Sequence, residues 1–304
     1  MTWYEKLDKV IGDYLPDLPM ERDVPMDRFT SFRIGGPARR LACPKNREQL
    51  VILMALAREC GARPFIMGNG TNLLIPDKGL DRLVIRTAGE MSDVRLTDET
   101  VIEADAGISL SRLALFAQSQ ALTGLEFAHG IPGSLGGAVF MNAGAYGGEM
   151  KQVVQEVVVL AEDGIRHIPG AECAFGYRKS AFSDGRTVIL GAKLHLKKGD
   201  PAQIRDKMAE LMAKRKASQP LEYPSAGSTF KRPEGYYAGT LIQETGLKGL
   251  TVGGAQVSEK HAGFVINTGG ATCADVMALI AQVQDRVMQR SGVHLEPEVR
   301  IIEN

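Results

Sequence analysis

The sequence predicts a mixed protein of helices and strands, α+β in class and divided into two or three domains, on three observations. Strand-like and helix-like runs alternate between Asn46 and Arg86, the stretch from about Asp93 to Lys198 is richer in strand, and a charged amphipathic run, Ile204 to Lys216, leads into a third region. With 304 residues and 44% hydrophobic content, the chain can support that division and a substantial core.

The elements follow in order. An amphipathic opening carries Trp3, Leu7, Val10, Ile11 and Leu15. A helical pattern spans Asn46 to Cys60, and short apolar strands follow at Pro64 to Met67 and Leu83 to Arg86. The second region holds strands at Val101–Ala104, Val153–Ala161 and Thr187–Leu196 and one helix, Leu110 to Gln120. Pro201 suits a helix start, where its fixed φ fits and its missing N–H is not needed. The third region holds a helix near Tyr237 to Thr245, a strand at Gly263 to Ile266, a long helix from Ala274 to Arg290 and a terminal strand from Val299 to Ile302. These boundaries suggest domains at 1–87, 88–199 and 200–304, with no internal repeat or low-complexity tract.

Charge and cysteine usage narrow the class. Lys+Arg and Asp+Glu both number 36, so no basic surplus points to nucleic acid or to a membrane surface. Cys43, Cys60, Cys173 and Cys273 stand far apart with no Cys-x-x-Cys pair, which reads as reduced thiols with neither a disulfide scaffold nor a metal knuckle. The charged N-terminus lacks an apolar signal core and no long apolar run follows, so the expected compartment is the cytoplasm.

Glycine carries the strongest signal. The chain holds 34 glycines, about 11% against a usual level near 7%, and they cluster in motifs. In the run from Gly130 to Gly147, closely spaced glycines leave the backbone as the recognising surface. Peptide N–H groups can converge there on an anion, a diphosphate being the natural guest. Pro132 fixes one φ, while Ser134 and Asn142 add side-chain hydrogen bonds; the plain alternative is a set of tight turns beside a packed apolar segment. A second loop, Gly68-Asn69-Gly70-Thr71-Asn72-Leu73, follows a predicted strand. It fails the dinucleotide fingerprint, because Leu73 replaces the third glycine and no helix pattern follows. The turn Thr30 to Ala38 adds small residues and one cation, Arg33. Neither a phosphate-loop lysine nor a His-Glu-x-x-His zinc motif occurs, and no metal site is expected.

Six motifs then coincide in order. Ser31 to Ala38, Gly68 to Leu74 and Gly130 to Gly137 resemble the flavin-binding half of the UDP-N-acetylenolpyruvoylglucosamine reductase family. Phe175 to Ser180, Ala226 to Lys231 and Leu295 to Arg300 resemble its catalytic motifs. The resemblance covers about Arg28 to Ile302. It implies a two-lobed FAD-binding domain of the vanillyl-alcohol-oxidase type, followed by a smaller α+β substrate-binding domain. Non-covalent FAD, NADPH as co-substrate and a UDP-sugar substrate are implied with it, in a monomer that makes UDP-N-acetylmuramate for peptidoglycan. By resemblance the cofactor contacts are Arg33, Gly68, Asn69, Gly70, Thr71, Asn72, Leu73, Gly130, Ile131, Pro132, Gly133, Ser134, Gly136, Gly137, Asn142, Gly144 and Ala145.

The same resemblance names Arg178, Ser228 and Glu298 as catalytic. Hydride addition to an enolpyruvyl ether leaves charge delocalised into the substrate carboxylate. Arg178 offers a bidentate fork for that carboxylate. Ser228 would protonate the carbanion, and a serine can do so only toward a strongly basic acceptor with its alkoxide stabilised. Glu298 either donates a proton or orients Arg178. Lys231 is a candidate for steadying the Ser228 alkoxide or for binding substrate phosphates, and Tyr177, Gln219 and His261 complete the expected substrate contacts. A structural role for His261 fits equally well. Singly, Arg178 reads as a solvated charge, Ser228 as a turn residue and Glu298 as a surface ion-pair member.

Part of the family carries an extra tyrosine-bearing loop between the arginine and serine motifs. Arg178 and Ser228 stand only fifty positions apart (228 − 178), so the chain resembles the branch without it. Two rivals remain at this level: an oxidase on the same scaffold, and a non-catalytic nucleotide-binding regulator.

Overall fold

The computed structural model describes residues 1–303 and divides the chain into two compact units. The first comprises Met1–Glu21, Arg40–Asn69 and Leu83–Lys214, and the second Arg22–Arg39, Gly70–Arg82 and the chain from Arg215 onward. Its helices are α1 (Trp3–Tyr14), α2 (Arg47–Cys60), α3 (Leu110–Ser119), α4 (Leu135–Met141), α5 (Pro201–Ser218), α6 (Ala238–Glu244) and α7 (Cys273–Ser291).

The first unit has two cores. An antiparallel five-stranded sheet runs in the order Gly164–Pro169, Val154–Ala161, Val188–His195, Val101–Asp105, Val94–Asp98. Its core includes Leu110, Leu113, Ala114 and Ala117 of α3 and Leu135, Ala138 and Val139 of α4. The second core gathers Leu7 and Ile11 of α1 and Leu50, Leu53 and Ala57 of α2, with Leu83 and Ile85. Strand Pro64–Met67 pairs in parallel with Leu83 to Arg86. Helix α2 starts where Asn46 accepts the Gln49 N–H at 2.9 Å, and stops at the left-handed Gly61.

In the second unit, Ser225–Ser228, Phe264–Asn267, Ala255–Val257 and Thr251–Val252 form an antiparallel sheet in that order. Residues Val276, Leu279, Ile280 and Val283 of α7 join its core, where Phe32, Ile34 and Leu74 also lie. Asp77 draws the earlier segment in, its carboxylate accepting the α7 N–H groups of Cys273 (2.7 Å) and Ala274 (3.1 Å).

Three differences from the sequence reading have physical causes. The units are discontinuous, not three consecutive stretches cut at 87 and 199, because the apolar side chains of Phe32, Ile34 and Leu74 are buried with the C-terminal helices. Strands Met20–Pro25 and Pro37–Ala42 come in addition to the expected ones, since their prolines and charges hide the pattern. The glycine run is not all turn: Leu135–Met141 is a helix, its burial outweighing the poor helix propensity of Gly136 and Gly137. Elsewhere the expected elements lie within a residue or a few of the observed ones. The helices and strands expected from Tyr237 onward and the helix led by Pro201, capped by Asp200, are all present.

Candidate functional site

The glycine run of the first unit is stitched to the segment entering α3. The Leu110 N–H donates to the Gly133 carbonyl at 3.0 Å, Leu135 N–H to Ile108 at 2.9 Å and Gly136 N–H to Ala106 at 2.8 Å. Ile131 closes a turn onto Ala128, and the Asn69 amide donates to the Pro132 carbonyl at 3.3 Å, joining two of the expected loops. These close approaches require absent side chains. A Cβ on Gly68 would lie 2.0 Å from Ser134 Oγ, and one on Gly136 would lie 2.9 Å from the Ala106 Cβ.

Ser134 supplies the test of what such a loop accommodates. Its residue is only 2% exposed, and its Oγ is buried without a hydrogen-bond partner. A hydroxyl left so costs about 1–3 kcal/mol, which a bound polar group offsets. Small side chains and this orphaned hydroxyl fit a diphosphate-bearing cofactor.

Asn142 makes several side-chain hydrogen bonds of its own. It ends α4 in the left-handed region, φ 44°, and is 1% exposed. Its amide donates to Glu149 at 2.7 Å and to the Gly176 carbonyl at 3.1 Å, while its oxygen accepts the Lys151 N–H at 2.9 Å. Those bonds anchor a tight turn. Gly176 and Lys179 exchange backbone bonds of 3.0 and 3.3 Å, leaving Tyr177 and Arg178 at the tip. Ser180 fixes the next position by donating to the Phe140 carbonyl at 2.8 Å. Arg178 has φ 54°, and its guanidinium carbon lies 5.0 Å from the Tyr177 ring centroid. A bulky residue held there is strained, and strain of this kind concentrates where side-chain direction matters. Gly144 and Ala145 form a short hairpin with Gly148–Glu149.

The second unit brings Ser228, Lys231 and Glu298 onto one hydrogen-bonded strand pair. Ser228 ends strand Ser225–Ser228, whose pairing with Phe264–Asn267 is irregular between Ser225 and Ser228, where Gly227 has φ 75°. Its hydroxyl-bearing side chain is exposed. The next residue, Thr229, is buried and fully engaged: its N–H donates to Gly263, its Oγ1 accepts from Val265, and its carbonyl accepts the Glu298 N–H at 2.8 Å. Phe230 bridges Pro297, and the Lys231 N–H donates to the Glu296 carbonyl. Ser228 and Glu298 are thus mounted on neighbouring rungs.

Two of the glycine-motif loops join that cluster. Asn72 donates to the Glu298 carbonyl at 3.1 Å and accepts the Arg300 N–H at 3.0 Å, while Leu73–Leu74 pairs in parallel with Arg300–Ile301. Ser31 N–H donates to Gly70, and its hydroxyl to the Ser225 carbonyl at 2.7 Å. Arg33, at φ 53°, is exposed on that same turn, and Thr71 is half-buried.

The softer candidates separate. Lys231 Nζ is ion-paired with Glu296 Oε1, so its charge is already matched. His261 is packed edge-on to Phe264 with ring centroids 5.0 Å apart, and its Nδ1 accepts the Gly263 N–H at 3.1 Å; burial pushes its pKa down. Gln219 Oε1 is buried and unpartnered, the kind of acceptor a ligand would complete. Thr229, Glu296 and Ser31 went unassigned in the sequence, where only their neighbours in the motifs pointed to them. Among the described residues no group of three or more His, Cys, Asp or Glu side chains could hold a metal, and no helix is long and apolar enough to cross a membrane.

Comparison with known proteins agrees in both units. Residues 219–302 match the family profile described as UDP-N-acetylenolpyruvoylglucosamine reductase, C-terminal domain, and residues 38–168 match an FAD binding domain. The chain is 51% identical over 281 residues to the UDP-N-acetylenolpyruvoylglucosamine reductase of Caldanaerobacter subterraneus subsp. tengcongensis, covering 91% of this chain and 92% of that one. It is 46% identical over 303 residues to the reductase of the same name from Clostridium perfringens, covering 99% of each. The crystal structure of the reductase from Thermus caldophilus superposes with a TM-score of 0.82 at 37% identity, covering 94% of this chain and all of that one.

Proposed function

Because the chain belongs to the UDP-N-acetylenolpyruvoylglucosamine reductase family, we propose how its own residues divide the work of that reaction. It is an FAD-dependent oxidoreductase that reduces the enolpyruvyl group of the UDP-sugar to UDP-N-acetylmuramate, a step of peptidoglycan precursor synthesis. When bound, the flavin would supply two-electron hydride chemistry between NADPH and the substrate double bond.

Gly68, Asn69, Gly130 to Ser134, Gly136 and Gly137 would hold the cofactor, with Ser134 Oγ as one of its hydrogen-bond partners. Arg33 and Gly70 to Leu73, with Gly144 and Ala145, are proposed as further contacts. Asn142 serves by holding the Arg178 turn. The observation that carries the catalytic reading is the backbone link from Thr229 to Glu298, which fixes the proton donor Ser228 and a carboxylate relative to each other. Ser228 Oγ gives its proton to the carbon next to the substrate carboxylate. Glu298 acts on that protonation, and Arg178 binds and polarises the carboxylate through two parallel N–H donors. Gln219 and Tyr177 contact the UDP-sugar, and the Lys231–Glu296 pair borders it. The protein works as a cytoplasmic monomer of the branch without the tyrosine loop, and its zero net charge offers no surplus for nucleic acid.

Anaerobic stopped-flow spectroscopy tests this division. NADPH should bleach the flavin, and the UDP-enolpyruvyl sugar should restore its colour. Ser228→Ala should slow the second step by about 10²–10⁴-fold and spare the first. Arg178→Lys should slow it by about 10²–10³-fold. Wild-type reoxidation by oxygen but not by the sugar would sink the reading, and an unaltered second step in Ser228→Ala would remove the serine.

A further inference from the structure

We propose that Asn72 is a positioning residue for Glu298, so that a loop counted among the cofactor contacts also sets the carboxylate used on the sugar; this rests on the role given to Glu298 above. Two bonds single Asn72 out. Its side-chain amide donates to the Glu298 carbonyl at 3.1 Å, and its own carbonyl accepts the Arg300 N–H at 3.0 Å. Asn72 therefore brackets Val299 from both sides. The opposite side of Glu298 is held as firmly, because its N–H donates to the Thr229 carbonyl at 2.8 Å.

Both backbone polar groups of Glu298 are thus engaged, one by the residue that follows Ser228 and one by Asn72. Pro297 fixes the φ just before it. The side chain leaves a backbone with little freedom, and the direction of its carboxylate follows from that mounting. Thr229 is itself immobilised by Gly263 and Val265, so the clamp rests on a rigid sheet. The Asn72 amide completes it, supplying a side-chain donor of the length that reaches this backbone carbonyl.

The consequence is a split between half-reactions. Taking hydride from NADPH makes no use of Glu298, whereas reducing the sugar does. With FAD supplied to saturation, Asn72→Ala is to be timed in both half-reactions against wild type. Its reoxidation by the UDP-enolpyruvyl sugar should slow about 10- to 100-fold more than its bleaching by NADPH, the loss expected when a reacting group is displaced by about an ångström. Asn72→Asp keeps the size but cannot donate, and should show the same split if the alanine variant folds poorly. Equal slowing of both steps in the FAD-saturated variant would overturn the proposal and leave Asn72 as a cofactor contact only. No change in either step would overturn it too. Glu298→Gln serves as the reference: wild-type reoxidation in that variant would overturn the role of Glu298 itself, a failure told apart because it does not depend on position 72.

Discussion

The glycine run around Ser134 and the clamp around Glu298 are built by opposite means. The run depends on atoms that are missing, with Gly68 set against Ser134 Oγ and Gly136 against Ala106. The clamp depends on atoms that are present: the Asn72 amide, the Thr229 hydroxyl and the backbone groups of Glu298. A surface for a large cofactor needs backbone exposed along its length, which side chains would block. A side chain whose direction matters needs a fixed mounting, which satisfied donors and acceptors provide. The run should therefore fail when atoms are added and the clamp when they are removed.

Gly68→Ala is the severest test of the first half. Its Cβ would meet the buried Ser134 Oγ at 2.0 Å, a collision relieved by turning that side chain or shifting the loop, at about 1–3 kcal/mol. The variant should purify with far less flavin. Adding Ser134→Ala removes the oxygen and leaves the nearest atom, the Ser134 Cβ, at 3.2 Å, so flavin content should partly return. Equal flavin in Gly68→Ala and wild type, measured by absorbance after gel filtration, would break the contrast.

Asn142 sits where the two means meet, being a hydrogen-bonded residue inside the glycine run. Asn142→Gly keeps the left-handed backbone but takes one of two donors from the Gly176 carbonyl, which keeps the Lys179 N–H, and leaves the Lys151 N–H without its Asn142 partner. A loss of about 1–3 kcal/mol in urea unfolding is expected, with weaker substrate binding through the Arg178 turn. A stable variant with a raised KM alone would show that the amide serves the turn more than the fold.

The smallest effect concerns pH. Burial, aided by the charge of Lys248, holds the His261 imidazole below its ordinary pKa of about 6.5. The folded protein thus binds that proton less readily than the unfolded chain. Stability is unaffected above about pH 6.5 and falls as pH drops through that value toward the lower folded pKa. His261→Asn should flatten the thermal-melting slope between pH 7 and pH 5; an unchanged slope would deny the histidine that role.

Helix ends were the most legible part of the chain. Asn46 and Gly61 bound α2, and Thr272 with Asp275 caps α7, each through local bonds that the sequence itself carries. Strands Met20–Pro25 and Pro37–Ala42 were not legible, because neighbouring strands decide them. Helix α4 was hidden for the same reason, its glycines being poor helix formers rescued by the burial of Leu135, Ala138 and Val139. Motif order alone pointed to Arg178, Ser228 and Glu298. The bond from Asn72 to Glu298 joins positions 226 residues apart, and nothing local announces it.

The discontinuity of the second unit has a consequence for how the protein is made. Phe32, Ile34 and Leu74 leave the ribosome early, yet their core partners Val276, Leu279 and Val283 lie in α7 near the end of the chain. At about 5–20 residues per second, Phe32 waits on the order of 10–50 s for them. The first unit ends at Lys214 and can close its cores before then. A nascent chain halted soon after Lys214 would carry a finished first unit beside unburied phenylalanine, isoleucine and leucine, the kind of surface that chaperones bind.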